Sequence, residues 1–461
     1  MEYPTMQVEG RAGRLVRDAL APRTFSRATL EQARRCLLDY LSCAFEALPL
    51  PWSEQAAALA APAADGAHVI GRAGTRRPDA AAFANAVAGH GLVREDMHAG
   101  SIAHLGVVVW PTTLALAQQH PVSGAQVLAA AIVGYETGAR LGRAVMTPTL
   151  ARLFRPTGLV GPFAAAMAGA HLAGFDETRA RHAFALAGNC CAGLNEWAHT
   201  GGSEMYFHPG FVVRNAWACL DLARHGAHAS ASILEGQAGF FQAYARAPME
   251  GDIVLFADGQ AEIEQVFNKP APACNFAQSP CQAALQAARQ AGTRRIAAVR
   301  IDTTQAAVHY PGCDATGPFQ YALQAKMSIP FGVAATLVHG AIAEDNYRRL
   351  NDPEIARLLS ATTLCADAAY SAAFPARQGA RVTLQFDDGG SASAALDDVV
   401  AADDTLIRQR FRLAAAAVVG ADAAAHIEDL VDRYEQVADA AELPRLCAAA
   451  GPGRVQARKN P

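Results

Sequence analysis

The chain is poor in aromatic residues, charge and long apolar runs. Only 7% of its 461 residues are aromatic although 51% are hydrophobic, so alanine supplies the excess and the pattern calls for helices packed closely on small side chains. Charged residues make up 18% and the formal net charge is -4. That leaves no basic surplus for wrapping nucleic acid and no acidic tail. No uninterrupted apolar run reaches the roughly 18 residues of a membrane-spanning helix. The start, Met1-Glu2-Tyr3-Pro4, has no charged-then-apolar signal pattern, and the cytoplasm is the expected compartment. The 10 cysteines form no C-x-x-C pair; reduced, buried thiols are expected rather than a zinc or redox centre. Walker and dinucleotide glycine fingerprints, the G-x-S-x-G elbow and H-E-x-x-H are missing too, so no nucleotide cofactor, serine hydrolysis or metal is expected.

What the chain does have is one crowded stretch. Residues 86–92 begin as small residues suited to a buried helix, and Arg94, Glu95, Asp96, His98, Ser101 and His104 follow within about one loop's length. Val107-Val108-Val109-Trp110 then returns to apolar residues, and Pro111 reads as the start of another helix. Histidine titrates near neutral pH and a carboxylate fixes its tautomer, so Asp96, His98 and His104 are candidate acid, base and orienter. Two histidines and a carboxylate also suit iron or zinc by donor type, though without a ligand-type spacing.

The length allows two domains. Residues 1–25 read as a loose arm, Thr29-Leu30-Glu31-Gln32 as a capping box, and the chain up to about 270 as a run of helices without a clear alternating strand. Residues 298–302 and 380–386 alternate as strands do, with helices between them, and 404–440 is helical again. The expected fold is mainly α. A large helical bundle (1–269) is completed by C-terminal helices (404–461) and interrupted by a smaller α+β domain (270–403), with a cleft between the two as the favoured small-molecule site. Arg155, Lys269 and Lys326 place cations at helix or turn boundaries in apolar surroundings, where they suit the carboxylates of an acidic substrate.

Several segments taken in order resemble the MmgE/PrpD family: Leu37-Leu38-Asp39-Tyr40-Leu41, Ala84-Asn85-Ala86-Val87-Ala88-Gly89-His90, Pro156-Thr157-Gly158, His208-Pro209-Gly210, Ser232-Ile233-Leu234-Glu235-Gly236 with Gly239-Phe240-Phe241, and Ala325-Lys326-Met327-Ser328-Ile329-Pro330. The resemblance implies a homodimer with a lid domain over the cleft, and chemistry without metal or cofactor on a small di- or tricarboxylate. It marks His104, Asp96 and Lys269 as site residues. With them, His104 or Lys269 is the expected base, His98 the expected acid, and Arg155, Lys326, Ser101 and His208 are expected around the substrate. Its decarboxylase and dehydratase members usually carry Asp at Val93 and Thr at Met97, and often His at Arg155 and Lys at Met205. The implied reaction is proton abstraction next to a carboxylate, with a dehydratase-like lyase first and a dicarboxylate epimerase second. A carboxylate-binding protein without turnover is the reading from another class.

Overall fold

In a computed structural model, residues 10–449 are described. The described part of the N-terminal arm is not loose: Arg11–Leu20 is a helix, because Ala12, Leu15, Val16 and Ala19 recur on one face and are buried there. Helix α1 (Arg27–Glu46) is capped by Ser26, whose hydroxyl accepts the Thr29 N–H at 3.0 Å, so the expected box at Thr29 gives way to a cap three residues earlier. Helix α2 (Pro78–His90) starts on its proline and buries every residue from Ala81 to His90. Helix α3 (Gly106–Leu116) starts five residues before Pro111, because the Asp96 carboxylate accepts the Gly106 N–H at 3.2 Å and caps it there. Pro111 lies in the interior, and the Thr112 and Thr113 hydroxyls bond back to the carbonyls of Val108 and Val109. Helices α4 (Gly124–Val145), α5 (Pro156–Leu172) and α6 (Glu204–Arg224) complete the layer around the loop that follows α2.

Strands do occur before residue 270: Pro62–His68 pairs with Thr75–Arg76, and Met97–His98 with Val266–Phe267. The first has no β-branched residue and the second is two residues long, so neither leaves an alternating pattern. Helix α7 (Gln278–Ala291) packs on a four-stranded sheet of β1 (Ile296–Thr303), β2 (Thr362–Ala366), β3 (Ala380–Phe386) and β4 (Ser391–Leu396), ordered β2-β1-β3-β4. β1 runs parallel to β2, with Ile301 opposite Leu364, and antiparallel to β3, with Ile301 opposite Val382. Between these strands, Ala322–Met327 and Ile329–His339 are separate helices, because Ser328 caps the second and its hydroxyl accepts the Phe331 N–H. The 404–440 pattern breaks likewise after α8 (Asp404–Val419), at Gly420 with φ 92°.

Two large hydrophobic clusters result among the described residues, beside a small one of Cys43, Ala47 and Leu92. One holds α1 to α6 together with Ile407 and Phe411 of α8, the Phe411 ring lying 6.2 Å from Phe45 of α1. The other holds α7 and the sheet through Phe276, Ile301, Phe331, Val382 and Leu384. No described helix is long and apolar enough to cross a membrane.

Candidate active site

The loop from Leu92 to Leu105 is fastened before it does any chemistry. Val93 and Ile102 sit at φ 57° and 54°, a left-handed conformation that costs a β-branched residue about 1–3 kcal/mol and persists only where the surroundings enforce it. Three sets of contacts supply that enforcement. His98 Nε2 meets Glu262 Oε2 at 2.8 Å, its Nδ1 meets Ser101 Oγ at 2.8 Å, and Glu262 is held in turn by Arg140 and Arg143 at 2.9 and 3.1 Å. The Asp96 carboxylate turns away from the cavity to accept from the Tyr135 hydroxyl and the Gly106 N–H. Under the loop, the Lys269 ammonium donates to the Val93 carbonyl, and the Lys326 ammonium donates to the Leu92 carbonyl at 3.2 Å while pairing with Glu344 at 2.7 Å.

This fastening points three groups inward. Glu95, buried like its partners, receives His90 Nδ1 at 2.5 Å and His104 Nδ1 at 2.9 Å on the same oxygen, Oε1. Its other oxygen has no partner. Those bonds assign the proton of each imidazole to Nδ1, so Nε2 of each carries the lone pair. The lone pair of His90 accepts from Arg155 Nη2 at 3.2 Å. His104 faces the cavity, its backbone N–H donating to Thr157 Oγ1 at 2.9 Å. Burial pushes the Glu95 carboxyl up, but His90 and His104 outweigh it and hold the group well below the usual carboxylate range. Burial also lowers His104, to about 3, with Lys269 and Arg155 adding to the effect against the pull of Glu95. The resting pair is therefore a carboxylate with a neutral imidazole, which gains a charge partner once it takes up a proton. Desolvation brings Lys269 down to about 8, within reach of neutral pH.

The cavity is lined by Val93, Met97, Ile102, His104, Arg155, Trp197, Met205, Cys274, Asn275, Phe276, Tyr310 and Met327. Arg155 lies 5.8 Å from the Trp197 ring and leaves its Nε without a partner. With Lys269 it gives the site more positive than negative charge, which suits a polyanionic guest. His90, Glu95 and His104 also bring three ligand-type atoms within 4.8 Å of one another. By donor type they could hold a divalent cation. The guanidinium 3.2 Å from His90 Nε2 and the nearby Lys269 make that costly.

Among the residues expected from sequence, His104 and Arg155 line the cavity, and Lys269 lies against the loop beneath them. His208 is buried with its Nδ1 unpartnered and is pushed down to about 3 by burial, with Arg155 and His90 adding to it. Lys326 is taken up by Glu344; Asp96, His98 and Ser101 face other partners. Sequence reasoning placed Glu95 in the crowded stretch without giving it a role, and missed His90, Cys274, Asn275 and Tyr310 as site residues. The spacing of His90 to Glu95 across a helix end was a usable signal, as was Cys274 in the proline-rich turn five residues after Lys269.

Residues 18–250 match the MmgE/PrpD N-terminal domain and residues 271–436 the MmgE/PrpD C-terminal domain. The chain is 25% identical to a cis-aconitate decarboxylase of Aspergillus terreus over 447 residues, covering 90% of this chain and 91% of the relative. It is 27% identical to the cis-aconitate decarboxylase-like protein oryM of Aspergillus oryzae over 462 residues, covering 93% and 94%. With both halves matched in order, the chain belongs to the MmgE/PrpD family.

Proposed function

We propose that the chain is an enzyme that moves a proton at the carbon next to a carboxylate of a small di- or tricarboxylate. The observation that carries this reading is the buried Glu95–His104 pair, whose imidazole faces a cavity that also holds the Arg155 guanidinium. His104 Nε2 is the base, Glu95 stabilises the imidazolium, and Arg155 with Lys269 anchors carboxylate and balances the enolate-like charge. A lyase is the first form of the reaction, in keeping with the decarboxylase names of the relatives. Loss of a carboxyl group breaks a C–C bond, so His104 has no C–H proton to take in that form and the carbanion gains a proton instead; it needs no acid for a leaving hydroxyl, and His98, the expected acid, is held outside the cavity by Glu262 and Ser101. The same observation favours epimerisation of a dicarboxylate as the second form, since return of a proton needs no leaving group either. A cytoplasmic homodimer without metal or cofactor belongs to this reading; Phe211 and Leu222, each 50% exposed on α6, offer apolar surface for a second copy.

The test is proton NMR of the EDTA-treated protein in D2O with citrate, 2-methylcitrate, cis-aconitate, malate and iminodisuccinate. New vinyl signals with loss of carbon dioxide or water establish the lyase. Loss of one α-proton signal with inversion at that carbon establishes the epimerase. Silence with every acid removes the reading in favour of a binding protein.

A further inference from the structure

Cys274 stands on the wall of the cavity that His104 and Arg155 also line, but it belongs to the other hydrophobic cluster and arrives on the turn after Lys269. Its backbone is fixed: the N–H donates to the Lys326 carbonyl at 2.9 Å, and the carbonyl accepts from Gln278 Nε2 at 3.1 Å. Its sulfur is not mere filling. Cys313 Sγ, fully buried, lies 3.6 Å away, and the Phe276 backbone N–H, just before α7 begins, favours the thiolate form of Cys274. Lys269 and Arg155 add positive charge. The S–H of Cys313 pulls the Cys274 thiol down while Cys313 itself, desolvated, goes up. Around the same cavity, Arg155 Nε and Asn275 Oδ1 are buried and have no partner. Two unpaired polar atoms beside a stabilised sulfur point to a polar guest, since an apolar core leaves such atoms paired.

We propose that Cys274 is the second proton-transfer residue of this site, its thiol delivering a proton to the carbanion that forms next to the substrate carboxylate. The inference rests on the function proposed above. In the step, the S–H bond of Cys274 breaks and its proton forms the new C–H bond with the carbanion's electron pair. The thiolate left behind is held by the Cys313 S–H and favoured by the Phe276 N–H and by the positive charge of the Lys269 ammonium. It regains a proton from the His104 imidazolium after epimerisation, or from water after loss of carbon dioxide. Cys313 acts through Cys274 and is a positioning residue.

The experiment compares the wild type with Cys274→Ala, Cys274→Ser and Cys313→Ala on the acid that the NMR panel identifies. It follows turnover together with alkylation of Cys274 by iodoacetamide, mapped by mass spectrometry against pH. Cys274→Ala is expected to lower kcat by about 10²- to 10⁴-fold, the usual contribution of a positioned acid, with KM changed only a few-fold. Cys313→Ala should move the alkylation midpoint of Cys274 and the kcat/KM profile to higher pH together. Should Cys274→Ala not fold, Cys274→Ser and the loss of turnover on alkylating the wild type give the same reading. Wild-type turnover in Cys274→Ala or Cys274→Ser, or an alkylation profile untouched by Cys313→Ala, overturns the role of Cys274 while leaving the proposed function standing. A wild type that exchanges no proton of any acid overturns the function, and this role with it.

Discussion

Glu95 and Asp96 are neighbours in sequence, and the loop sends them to opposite fates. Glu95 takes two imidazole N–H groups on one oxygen, and they hold its carboxyl well below the usual carboxylate range. Replacement by Gln keeps the shape but leaves the imidazolium of His104 without its counter-charge; kcat should fall by about 10²- to 10³-fold with little change in KM. Steady-state kinetics on the identified acid check this, and an unchanged kcat would remove Glu95 from the base. Asp96, by contrast, is raised to about 7, chiefly by burial, against the Tyr135 hydroxyl and Gly106 N–H that favour its charge. Its folded pKa exceeds the roughly 4 of an unfolded Asp, so its contribution to stability is complete below about pH 4 and is lost as pH rises through about 7. Asp96→Asn should cancel a pH-dependent loss of up to about 4 kcal/mol. Urea unfolding at pH 5 and pH 8 reads it: parallel pH dependence in both proteins would show that Asp96 does not titrate there. The sequence offered both carboxylates in one loop, and spacing alone could not say which faced inward. That choice is made by Tyr135 on α4, some 40 residues away.

At the scale of elements, the helices were legible because each carries an apolar face, a cap or a proline of its own. Ser123 with Gln126 closes a box at α4 and Pro78 opens α2. The short strands were not legible. Met97–His98 pairs with Val266–Phe267, and that pairing ties the active loop to a segment about 170 residues on. The same loop lies so close to α4 that Gly142 has no room for a side chain: a Cβ there would stand 2.2 Å from Ser101 Cβ. Gly142→Ala must therefore move the 98–104 hairpin. The expected cost is about 1–3 kcal/mol in stability. A drop in kcat/KM should accompany it as His104 shifts against Glu95, since misplacement of a base by about 1 Å costs on the order of 10²-fold. A variant with wild-type kinetics would show that the hairpin relaxes without carrying His104 along.

For the whole molecule, the crossing from one hydrophobic cluster to the other takes place at Lys269. Asn268 donates to the Asp39 carboxylate of α1 at 2.9 Å and its carbonyl accepts the Ala402 N–H at 2.9 Å. Arg410 of α8 then donates to the carbonyls of Lys269 and Pro270 at 3.1 and 2.5 Å. The C-terminal helices thus grip the turn that carries the lysine, from a position more than 130 residues beyond it in sequence, a link that neither segment announces by composition. Arg410→Met keeps the packing of the side-chain stem and leaves two carbonyls short of a donor, a loss of about 1–3 kcal/mol. If the grip also sets where the Lys269 ammonium lies, the activity lost in Arg410→Met should largely be lost already in Lys269→Met. The double variant then falls short of the product of the two effects, with a coupling of about 0.5–3 kcal/mol, as expected for residues in one network. Effects on kcat/KM that simply multiply would mean that α8 stabilises the turn without positioning the lysine.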